Sequence, residues 1–540
     1  MAGLATVFGS GAMTNSLAEI ENNDVLFVIG SNTKENHPIV ALRMIKAVRK
    51  GAKLIVADPR RVPLVRFAHL WLRQRPGTDV ALLNGMLHVI LAEGLIDMPF
   101  IKSHTEGFDE SFRRTIAEYT PAAAEAVSGV PKEKIIEAAR IYGAGKRAGI
   151  YYTMGITQHS HGTDNVFAIA NLALVTGNLG KESSGVNPLR GQNNVQGSTD
   201  MGCSPNMYPG YQRVSVPTVR ERFEALWGVK LPDHDGLMAN EMLDGALAGK
   251  VRALYVMGEN PVISDPDTGH TAKALNALEL LIVQDIFLTE TAELAHVVLP
   301  GTSFAEKVGT FTNTERRVQR VRRIVSPPGQ AMKDSVILVE ISKRLGYEMI
   351  YHHTEEIFQE IGKAWPAVAG MSYSRLEEEG GLQWPCPTPN HPGTPYLFKG
   401  GFPRGKARLT NVRYRPPVEE PDTAFPFILT TGRMLFQYHT GTMTRRNEAI
   451  EAVAGRPYVE INTEDAQALG LENGVRVSVT SRRGSIKLMA QVTNRPERGV
   501  VFIPFHYREA AANILTSSTA LDPICKIPEL KVATVRIEKA

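Results

Sequence analysis

The chain has 540 residues with a formal net charge of +4 at pH 7, and 43% of its residues are hydrophobic and 21% charged. This composition is typical of a globular protein of two to four domains, and the small net charge gives no reason to expect binding to nucleic acid. The three cysteines are far apart in the sequence, which argues against a disulfide framework or a cysteine-only metal site. No apolar run reaches membrane-spanning length, so we expect a cytoplasmic protein without direct membrane insertion.

The first recognisable unit lies near the start of the chain. Residues 24–32 (DVLFVIGSN) predict a buried parallel strand that ends in a tight turn at Gly30. Residues 37–50 carry apolar positions at helical spacing, and residues 51–60 (GAKLIVADPR) predict a second buried strand that ends at Asp58. Together these segments predict a βαβ unit.

The same pattern returns later in the chain. Residues 251–261 (VRALYVMGENP) place Gly258 at the end of one strand, and residues 278–287 (LELLIVQDIF) place Asp285 at the end of the next. The glycine and the aspartate are 28 positions apart in the first unit and 27 in the second. This matched spacing predicts an internal pseudo-repeat.

Two interpretations of the repeat stay open at this point. In open α/β sheets, ligands bind beyond the carboxyl ends of the strands, and an acidic residue there can bind ribose hydroxyls. Alternatively, both units are ordinary sheet segments whose aspartates cap a turn, because neither contains the full G-x-G-x-x-G fingerprint. The matched spacing favours two nucleotide-binding sheets.

Two histidines lie between the repeated units. Residues 151–180 predict a strand, a polar turn and an amphipathic helix, and His159 and His161 fall in the turn. On a strand, two residues at this spacing share one face, so a metal site is conceivable. Because no third ligand is nearby, packing or solvated histidines are the favoured interpretation.

Residues 185–202 (GVNPLRGQNNVQGSTDMG) combine one arginine, Arg190, with glycines and side-chain amides. No helix or strand period fits this segment, which therefore predicts a loop. Amides and arginine donate hydrogen bonds in several directions, and glycine allows a ligand to approach the backbone closely. The segment is either a solvated connector or part of a binding site.

The last part of the chain has a different pattern. Residues 386–426 are rich in proline and predict a domain boundary. Beyond it the period becomes two, with a hairpin in VRVSVTS–RRGS–IKLMAQVTN, so residues 405–540 predict a β-barrel-like domain. Within it, TEDAQALGLENG predicts a short helix with Thr463 as N-cap and Gly470 as the C′ residue.

Several of these segments together resemble a known family. They are NLALVTGNLGKESSGVNPLRGQNNVQGSTDMG from residue 171, MGENP from 257, QDIFLTETAELAHVVLP from 284, HTGTMTRR from 439, VEINTEDAQALGLENG from 459 and AAANILTSSTALDPICKIPELK from 510. Over essentially its whole length the chain resembles the molybdenum and tungsten pterin oxidoreductases of the dimethyl-sulfoxide-reductase type. Within that superfamily it is most similar to the catalytic subunit of formate dehydrogenase.

The resemblance implies an α/β fold with two related parallel-sheet dinucleotide-binding domains followed by a C-terminal β-barrel domain. The implied divisions are residues 1–192 and 193–304, each binding one pterin guanine dinucleotide, a segment 305–400 that packs toward an iron–sulfur cluster domain, and the barrel 405–540, which also contacts the cofactors.

The implied reaction is the oxidation of formate to CO2 at molybdenum or tungsten held by two pterin guanine dinucleotides. Arg190 would orient formate by a forked, charge-assisted hydrogen bond. The implied partners are formate, CO2 and electron-transfer subunits or domains. Two alternatives stay open: a nitrate-type oxyanion reductase of the same superfamily, and a cofactor-free structural subunit. The choice of metal and the electron acceptor are also open.

The resemblance further implies twenty cofactor-binding residues. The first dinucleotide and its pterin would be bound by Gly30, Asn32, Asp58, Arg60, Gly77, Asp79, Met154, Gly155 and Gln158, with Gln192 donating to a pterin. The second dinucleotide would be bound by Gly258, Asn260, Gln284, Ile286 and Asp334, and the barrel would contribute Arg433, His439, Thr440, Asn513 and Lys526. No residue of this chain is expected to ligate the metal.

Members of the family carry a 4Fe–4S domain, and then a selenocysteine or cysteine metal ligand followed by histidine, before the segment that resembles residues 2–15 here. We therefore expect this chain to be inactive alone. One hypothesis is a reading frame cut at the UGA codon of selenocysteine and reopened at a GUG codon, which would be read as Met1. Under that hypothesis the native protein is a selenoenzyme, and an in-frame UGA followed by a histidine codon lies just upstream.

Overall fold

A computed structural model describes residues 1–540. Its strands are β1 Val25–Ile29, β2 Lys53–Ala57, β3 Leu70–Leu72, β4 Thr105–Glu106, β5 Ala148–Tyr152, β6 Gly185–Pro188, β7 Met207–Tyr208, β8 Gln212–Arg213, β9 Ala253–Met257, β10 Leu280–Asp285, β11 Val297–Pro300, β12 Gly309–Thr312, β13 Arg317–Val321, β14 Leu382–Gln383, β15 Ala407–Arg408, β16 Phe427–Gly432, β17 Tyr458–Ile461, β18 Arg476–Thr480, β19 Ser485–Val492, β20 Val500–Pro504 and β21 Ala533–Lys539.

The helices are α1 Ala2–Phe8, α2 Thr33–Asn36, α3 Pro38–Arg49, α4 Asp79–Ala92, α5 Met98–His104, α6 Glu110–Ala117, α7 Pro121–Ser128, α8 Lys132–Ala144, α9 Met154–Thr157, α10 Gly162–Val175, α11 Val195–Asp200, α12 Pro217–Trp227, α13 Ala239–Leu247, α14 Pro261–Ser264, α15 Thr268–Asn276, α16 Asp334–Arg344, α17 Thr354–Ala364, α18 Tyr373–Glu378, α19 Glu448–Ala454 and α20 Thr463–Ala468. None of them is both long and apolar enough to cross a membrane.

The chain forms two compact units. The first consists of residues 1–191, 263–268 and 396–540, and the second consists of residues 192–262 and 269–395. Each unit therefore contains segments that are distant in the sequence.

A five-stranded parallel sheet with the order β3-β2-β1-β5-β6 organises the first part of the first unit. Side chains of a strand alternate between the two faces, so in β1 Phe27 packs with helices α4, α8 and α10, whereas Val28 packs with α3. All five residues of β1 and of β5 are buried, as expected for a parallel sheet covered on both faces.

A closed barrel of six strands with the order β16-β20-β17-β19-β18-β21 forms the second part of the same unit. The hairpin predicted from the period-two pattern is formed by β18 and β19, which pair antiparallel. Alternate residues of these strands point into a common core, as Val477, Val479, Ile486 and Leu488 do. The predicted fold class, two parallel-sheet regions followed by a C-terminal barrel, is confirmed.

The second unit contains a three-stranded parallel sheet with the order β11-β10-β9, packed on one face by α13 and α15. It repeats the arrangement of β3-β2-β1 in the first unit. In both sheets the glycine after the first strand donates its N–H to the end of the second strand, Gly30 to Ala57 over 2.9 Å and Gly258 to Gln284 over 2.8 Å. The predicted pseudo-repeat is thus present in the backbone hydrogen bonds as well as in the sequence.

The repeated glycines allow a matched test of the turn. Gly30 and Gly258 have φ of 56° and 65°, the left-handed region that costs other residues about 1–2 kcal/mol. A Cβ on Gly30 would lie 2.8 Å from the carbonyl carbon of Gly155, whereas a Cβ on Gly258 would meet nothing within 4 Å. We expect Gly30→Ala to lower the free energy of unfolding by more than Gly258→Ala, by roughly 1–3 kcal/mol of additional overpacking. Urea denaturation of both variants measures the difference, and equal losses would show that the close approach to Gly155 has no energetic effect.

Two local predictions need correction. Residues 185–202 were expected to lack regular structure, but they contain β6 and α11, because pairing of Val186 with Ile150 of β5 completes the sheet. The N-cap of α20 is Asn462, whose side chain accepts the N–H of Glu464, and Thr463 is the first helical residue. Gly470 does take a left-handed φ of 64° directly after the helix.

The histidine pair lies between α9 and α10, in a turn as predicted. His159 and His161 are 1% and 2% exposed, and their rings stack with centroids 5.6 Å apart. His159 lies 3.6 Å from the carboxylate of Glu529 and 3.9 Å from that of Asp79. Both rings are engaged inside the fold, His159 Nε2 with the carbonyl of Gly155 at 2.9 Å and His161 Nε2 with that of Gly77 at 3.3 Å, which supports a packing role.

Candidate cofactor and substrate site

The predicted site residues of the first unit follow the carboxyl ends of all five parallel strands. Because the strands are parallel, these ends lie along one edge of the sheet, which we call the carboxyl edge. Gly30 and Asn32 follow β1, Asp58 and Arg60 follow β2, Gly77 and Asp79 follow β3, Met154, Gly155 and Gln158 follow β5, and Arg190 follows β6. Ligands of open α/β proteins bind at this edge.

The turn glycines bring two segments of this edge together. The carbonyl of Gly30 accepts the N–H of Gly155 at 3.2 Å and the hydroxyl of Thr153 at 2.7 Å. Next to this turn, the Asn32 amide donates to Glu35, while its Oδ1 is buried without a hydrogen-bond partner. A buried acceptor without a hydrogen bond destabilises the fold unless a donor on a ligand binds to it.

Asp58 and Arg60 are both buried, at 8% and 6% exposure. The Asp58 carboxylate accepts the N–H of Arg60 at 2.9 Å, and burial raises the pKa of this carboxyl to about 6. The Arg60 guanidinium donates two hydrogen bonds to one oxygen of Glu460 in β17 and lies 3.3 Å from the centre of the Phe502 ring. The barrel strands therefore fix the arginine that the sheet presents.

Lys531 is a residue that the sequence did not single out. It is half-buried, its ammonium donates to the carbonyl of Thr431 at 2.7 Å, and burial lowers its pKa to about 8. Asp58 and Arg60 are the charged groups that act on it. Its backbone N–H donates to the carbonyl of Gln158 at 3.3 Å, which ties it to the loop after β5. No local pattern in PELK distinguishes this half-buried lysine from an exposed one.

The residues after β3 are held inside the fold. Gly77 has φ of 81°, and a Cβ there would lie 2.5 Å from the ring of Pro417. Asp79 begins α4, is 3% exposed and accepts the Gln74 amide at 3.1 Å. In the loop after β5, Met154 is 39% exposed. This part of the edge therefore presents to a ligand mainly backbone groups and the apolar side chain of Met154 rather than free charges.

Arg190 is held at its backbone from two sides. The preceding residue, Leu189, donates its N–H to Tyr152 of β5 at 2.9 Å, and the Arg190 carbonyl lies 2.6 Å from Nε2 of His37. One guanidinium nitrogen of Arg190 donates to the carbonyl of Gly11 at 3.1 Å. His37, which the sequence did not single out, is half-buried, and burial lowers its pKa.

The barrel contributes the loop that follows β16. Arg433 donates to the carbonyl of Gly191 at 2.8 Å, and its Nε is buried without a partner. His439 has a left-handed φ of 50°, and burial together with the Arg433 charge lowers its pKa to about 4. The imidazole is therefore neutral at pH 7. The Thr440 hydroxyl lies 3.0 Å from that of Thr442.

The other two barrel residues have different surroundings. The Asn513 amide donates to the carbonyls of Ile263 and Ser264 at 2.9 and 2.8 Å, so its donors are used within the protein. Lys526 is half-buried in a left-handed conformation with φ of 56°. Lys531 is half-buried like Lys526, and it adjoins Asp58 and Arg60.

In the second unit, the predicted residues follow the ends of β9 and β10. Gln284 at the end of β10 donates to Asp334 at 2.6 Å, and Asp334 also pairs with Lys307. Asn260 donates to Glu290 and accepts from Thr291.

Ile286 donates its backbone N–H to Asp285 at 2.6 Å, and Gln192 is half-buried in the segment before α11. The structure thus joins Gln284 and Asp334 directly, while the side chain of Asn260 is engaged by its own neighbours.

The raised pKa of Asp58 has a testable consequence. The folded pKa of about 6 exceeds the ordinary value of 3.8, so the folded state binds more protons between these two pH values. The stabilisation from this group is full below pH 4 and is lost as the pH rises through 6. We expect Asp58→Asn to remove a slope worth on the order of 2–3 kcal/mol between pH 4 and 6 in the free energy of unfolding. Chemical denaturation at stepped pH checks this, with the exposed Glu420→Gln as control; an unchanged slope in Asp58→Asn would contradict it.

Comparison with known proteins identifies the class that this fold and edge define. The family model "Molybdopterin oxidoreductase" matches residues 3–344, and the model of the molybdopterin dinucleotide binding domain matches residues 427–534. The chain belongs to the molybdopterin oxidoreductase family, and it is an enzyme of that class.

Individual relatives refine this assignment. The chain is 52% identical to the F420-dependent formate dehydrogenase subunit alpha of Methanocaldococcus jannaschii over 542 residues, which is 99% of this chain and 80% of that protein. It is 43% identical to formate dehydrogenase H of Escherichia coli over 544 residues, which is 100% of this chain and 76% of that protein. Among solved structures, acetylene hydratase from Pelobacter acetylenicus has the same fold, with a TM-score of 0.80 at 22% identity over 100% of this chain and 80% of that one.

The residues at the carboxyl edge fit a pterin dinucleotide. Asn32 Oδ1 and Arg433 Nε are buried polar atoms without partners inside the protein. Arg60, Arg433 and Lys531 are cations suited to phosphates, and Asp58 is an acceptor suited to guanine N–H groups or ribose hydroxyls. A molybdenum or tungsten pterin cofactor therefore matches both the family and the chemistry of these groups.

Proposed function

We propose that this protein oxidises formate to CO2, releasing one proton and two electrons, at a molybdenum or tungsten centre held by two pterin guanine dinucleotides. The observation that carries the proposal is Arg190, a cation held from both sides at the carboxyl edge in a chain that resembles formate dehydrogenase alpha subunits over 99% of its length. The four domain divisions given above, and a 4Fe–4S cluster in a further part of the protein, belong to this proposal. So do electron-transfer partner subunits.

The bound metal–pterin group would supply the acceptor for the two electrons. Arg190 binds the formate carboxylate through two parallel N–H donors, which fixes the direction of the C–H bond. The backbone around Arg190 is fixed by the hydrogen bond of Leu189 to Tyr152 and by the contact of the Arg190 carbonyl with His37, so little backbone freedom is lost when formate binds. The neutral imidazole of His439 can accept a hydrogen bond at pH 7.

The proposed cofactor residues form two groups, one for each dinucleotide. Gly30, Asn32, Gly77, Gly155 and the loop residues Met154 and Gln158 would contact one dinucleotide, with Asp58, Arg60 and Asp79 at its polar groups. Gly258, Asn260, Gln284, Ile286 and Asp334 would contact the other, and Gln192, Arg433, His439, Thr440, Asn513 and Lys526 would complete the cradle. We add Lys531 as a phosphate ligand because it is a half-buried cation beside Asp58 and Arg60.

Formate-dependent reduction of an artificial dye by the complete native protein, purified without oxygen, tests the proposal. We expect dye reduction with formate, no nitrate reduction, and two guanine nucleotides released per metal ion after acid hydrolysis. Nitrate reduction without formate oxidation would overturn the formate assignment. Protein that contains neither molybdenum, tungsten nor guanine nucleotide would support a structural subunit instead.

A further inference from the structure

We propose that Asp200 is a positioning residue, whose buried carboxylate fixes the segment 192–202 and with it the side chain of Gln192. This inference rests on the proposed function only in so far as Gln192 and the neighbouring Arg190 serve cofactor and substrate. It concerns a group that contacts neither, and its structural part can be measured without any activity.

The Asp200 carboxylate lies at the end of α11 and is 1% exposed. It accepts the Tyr211 hydroxyl at 2.6 Å, the Gln196 amide at 2.8 Å and the Trp384 indole N–H at 2.9 Å. Three donors from three places in the sequence thus converge on one buried charge. A buried carboxylate is destabilising unless donors compensate for lost water, so this arrangement needs all of its partners.

The aromatic partners of Asp200 are themselves fixed. Trp384 packs edge-on against Trp365 with ring centroids 5.2 Å apart, and Tyr211 contacts both rings. The fully buried Arg316 lies over Trp384 and donates to the carbonyls of Trp384, Thr394 and Pro395. The donors that hold Asp200 therefore have little freedom to follow it if it moves.

The other end of the same segment has a second anchor. Asn194 takes a left-handed φ of 59°, and its side-chain oxygen accepts the N–H of Thr312 in β12 at 2.9 Å. A Cβ on Gly197 would lie 2.1 Å from that oxygen, so glycine is required beside it. Asn194 fixes the start of α11 and Asp200 fixes its end, which leaves Gln192 two residues from a fixed point.

Directional bonds serve a purpose here that apolar packing would not. Helix α11 has only six residues, far fewer than a helix needs to be stable alone in water. An apolar contact would hold such a helix in place but would leave its rotation open. Two of the three hydrogen bonds to the carboxylate, from Tyr211 and Trp384, come from outside the helix and set both its position and its rotation. The direction in which the chain enters from Gln192 follows from them. A binding site with a preset loop loses less entropy when its ligand binds.

Two tyrosines of the same unit provide a matched pair of variants. Tyr211→Phe removes a hydroxyl that donates to Asp200. Tyr208→Phe removes a hydroxyl that is buried without a hydrogen-bond partner, on a ring stacked against Phe223. Both changes delete one oxygen and retain the ring. Asp200→Asn removes the charge and keeps the shape.

Amide hydrogen exchange followed by mass spectrometry is the first measurement, on the chain as it exists. We expect exchange of residues 195–202 to become roughly tenfold faster in Tyr211→Phe, the effect of losing a hydrogen bond to a charged group, and faster still in Asp200→Asn. Tyr208→Phe should stay within about twofold of the unaltered protein, given that it breaks no hydrogen bond. Equal exchange in Tyr211→Phe and Tyr208→Phe would overturn the proposal.

The second measurement is steady-state kinetics of the complete holoenzyme. We expect Tyr211→Phe to raise KM for formate roughly tenfold, with kcat and metal content within about twofold of the values for Tyr208→Phe, because a loosened loop must be ordered when formate binds. Faster exchange with unchanged KM would overturn the positioning role. If the unaltered holoenzyme does not oxidise formate, the proposed function fails, and the exchange data alone decide whether Asp200 fixes the segment.

Discussion

In the complete enzyme, replacement of Arg190 by lysine is expected to lower kcat/KM for formate by roughly 30- to 150-fold. Lysine keeps the positive charge but presents a single ammonium point instead of two parallel N–H donors. The loss of a hydrogen bond to a charged group is worth about 2–3 kcal/mol, and this range gives the expected factor. Arg190 lies at the carboxyl edge. The backbone there is held by the hydrogen bond of Leu189 to Tyr152 and by the contact of the Arg190 carbonyl with His37.

Steady-state kinetics with formate and an artificial acceptor measures this effect, with metal content determined for each sample. Arg114→Lys is a suitable control because Arg114 is exposed on α6. A lysine variant at position 190 within about twofold of the unaltered enzyme would show that the arginine is not a substrate ligand. A loss of metal together with activity would assign Arg190 to cofactor retention instead.

The second large effect is expected in stability, at Glu460. This side chain is completely buried and pairs with Arg60 at 2.9 Å and with Arg495 at 3.0 Å. Glu460→Ala leaves the buried Arg60 without its counter-ion, a change that typically lowers the free energy of unfolding by about 3–5 kcal/mol. The Arg60 guanidinium would also lose the orientation that it keeps over Phe502.

Chemical denaturation monitored by circular dichroism measures the effect. Glu464→Ala is the matched control because the pair of Glu464 and Arg498 is separated by 3.6 Å and both side chains are 72% exposed. A surface pair of this kind contributes little to stability. Equal, small changes in both variants would show that the buried pair is replaceable. Retained stability with reduced guanine nucleotide content would place the main role of Glu460 in cofactor binding.

The pH dependence of Asp58 and the stability of Glu460 are connected through Arg60. Arg60 donates its backbone N–H to Asp58 and its guanidinium to Glu460. Loss of Glu460 would leave the guanidinium as the nearest unpaired cation beside Asp58. The pKa of the Asp58 carboxyl should then fall toward its ordinary value, since a nearby cation favours the ionised form. The slope between pH 4 and 6 would become smaller in Glu460→Ala.

Much of the fold follows from local patterns in the sequence. The apolar runs that end at Gly30 and Asp58, and again at Gly258 and Asp285, are strands of two parallel sheets with the same order. Local pattern suffices here because a strand buried on both faces must be continuously apolar and its turn requires a glycine at positive φ. The barrel hairpin of β18 and β19 could also be predicted from local pattern, because its apolar residues alternate with a period of two.

The features that the sequence did not predict depend on residues that are distant along the chain. Strand β6 exists because β5 offers an unpaired edge, and nothing within residues 185–188 indicates that edge. Lys531 and Glu460 look like ordinary surface residues until the fold places Lys531 beside Asp58 and Arg60 and buries Glu460 against Arg60. The free energy of a buried charge is set by the groups around it, and only tertiary contacts bring those groups together.

The same distinction between local pattern and distant partners applies to the candidate site. The sequence by itself, through its resemblance to a family, determined which residue types lie at the strand ends and which chemistry they suit. Only the tertiary structure decided that the strand ends share one edge, that Asn513 uses its amide on Ile263 and Ser264, and that Lys531 is a cation beside Asp58. Residue identity fixes which bonds a side chain can form, but burial and neighbours fix which of those bonds are already taken.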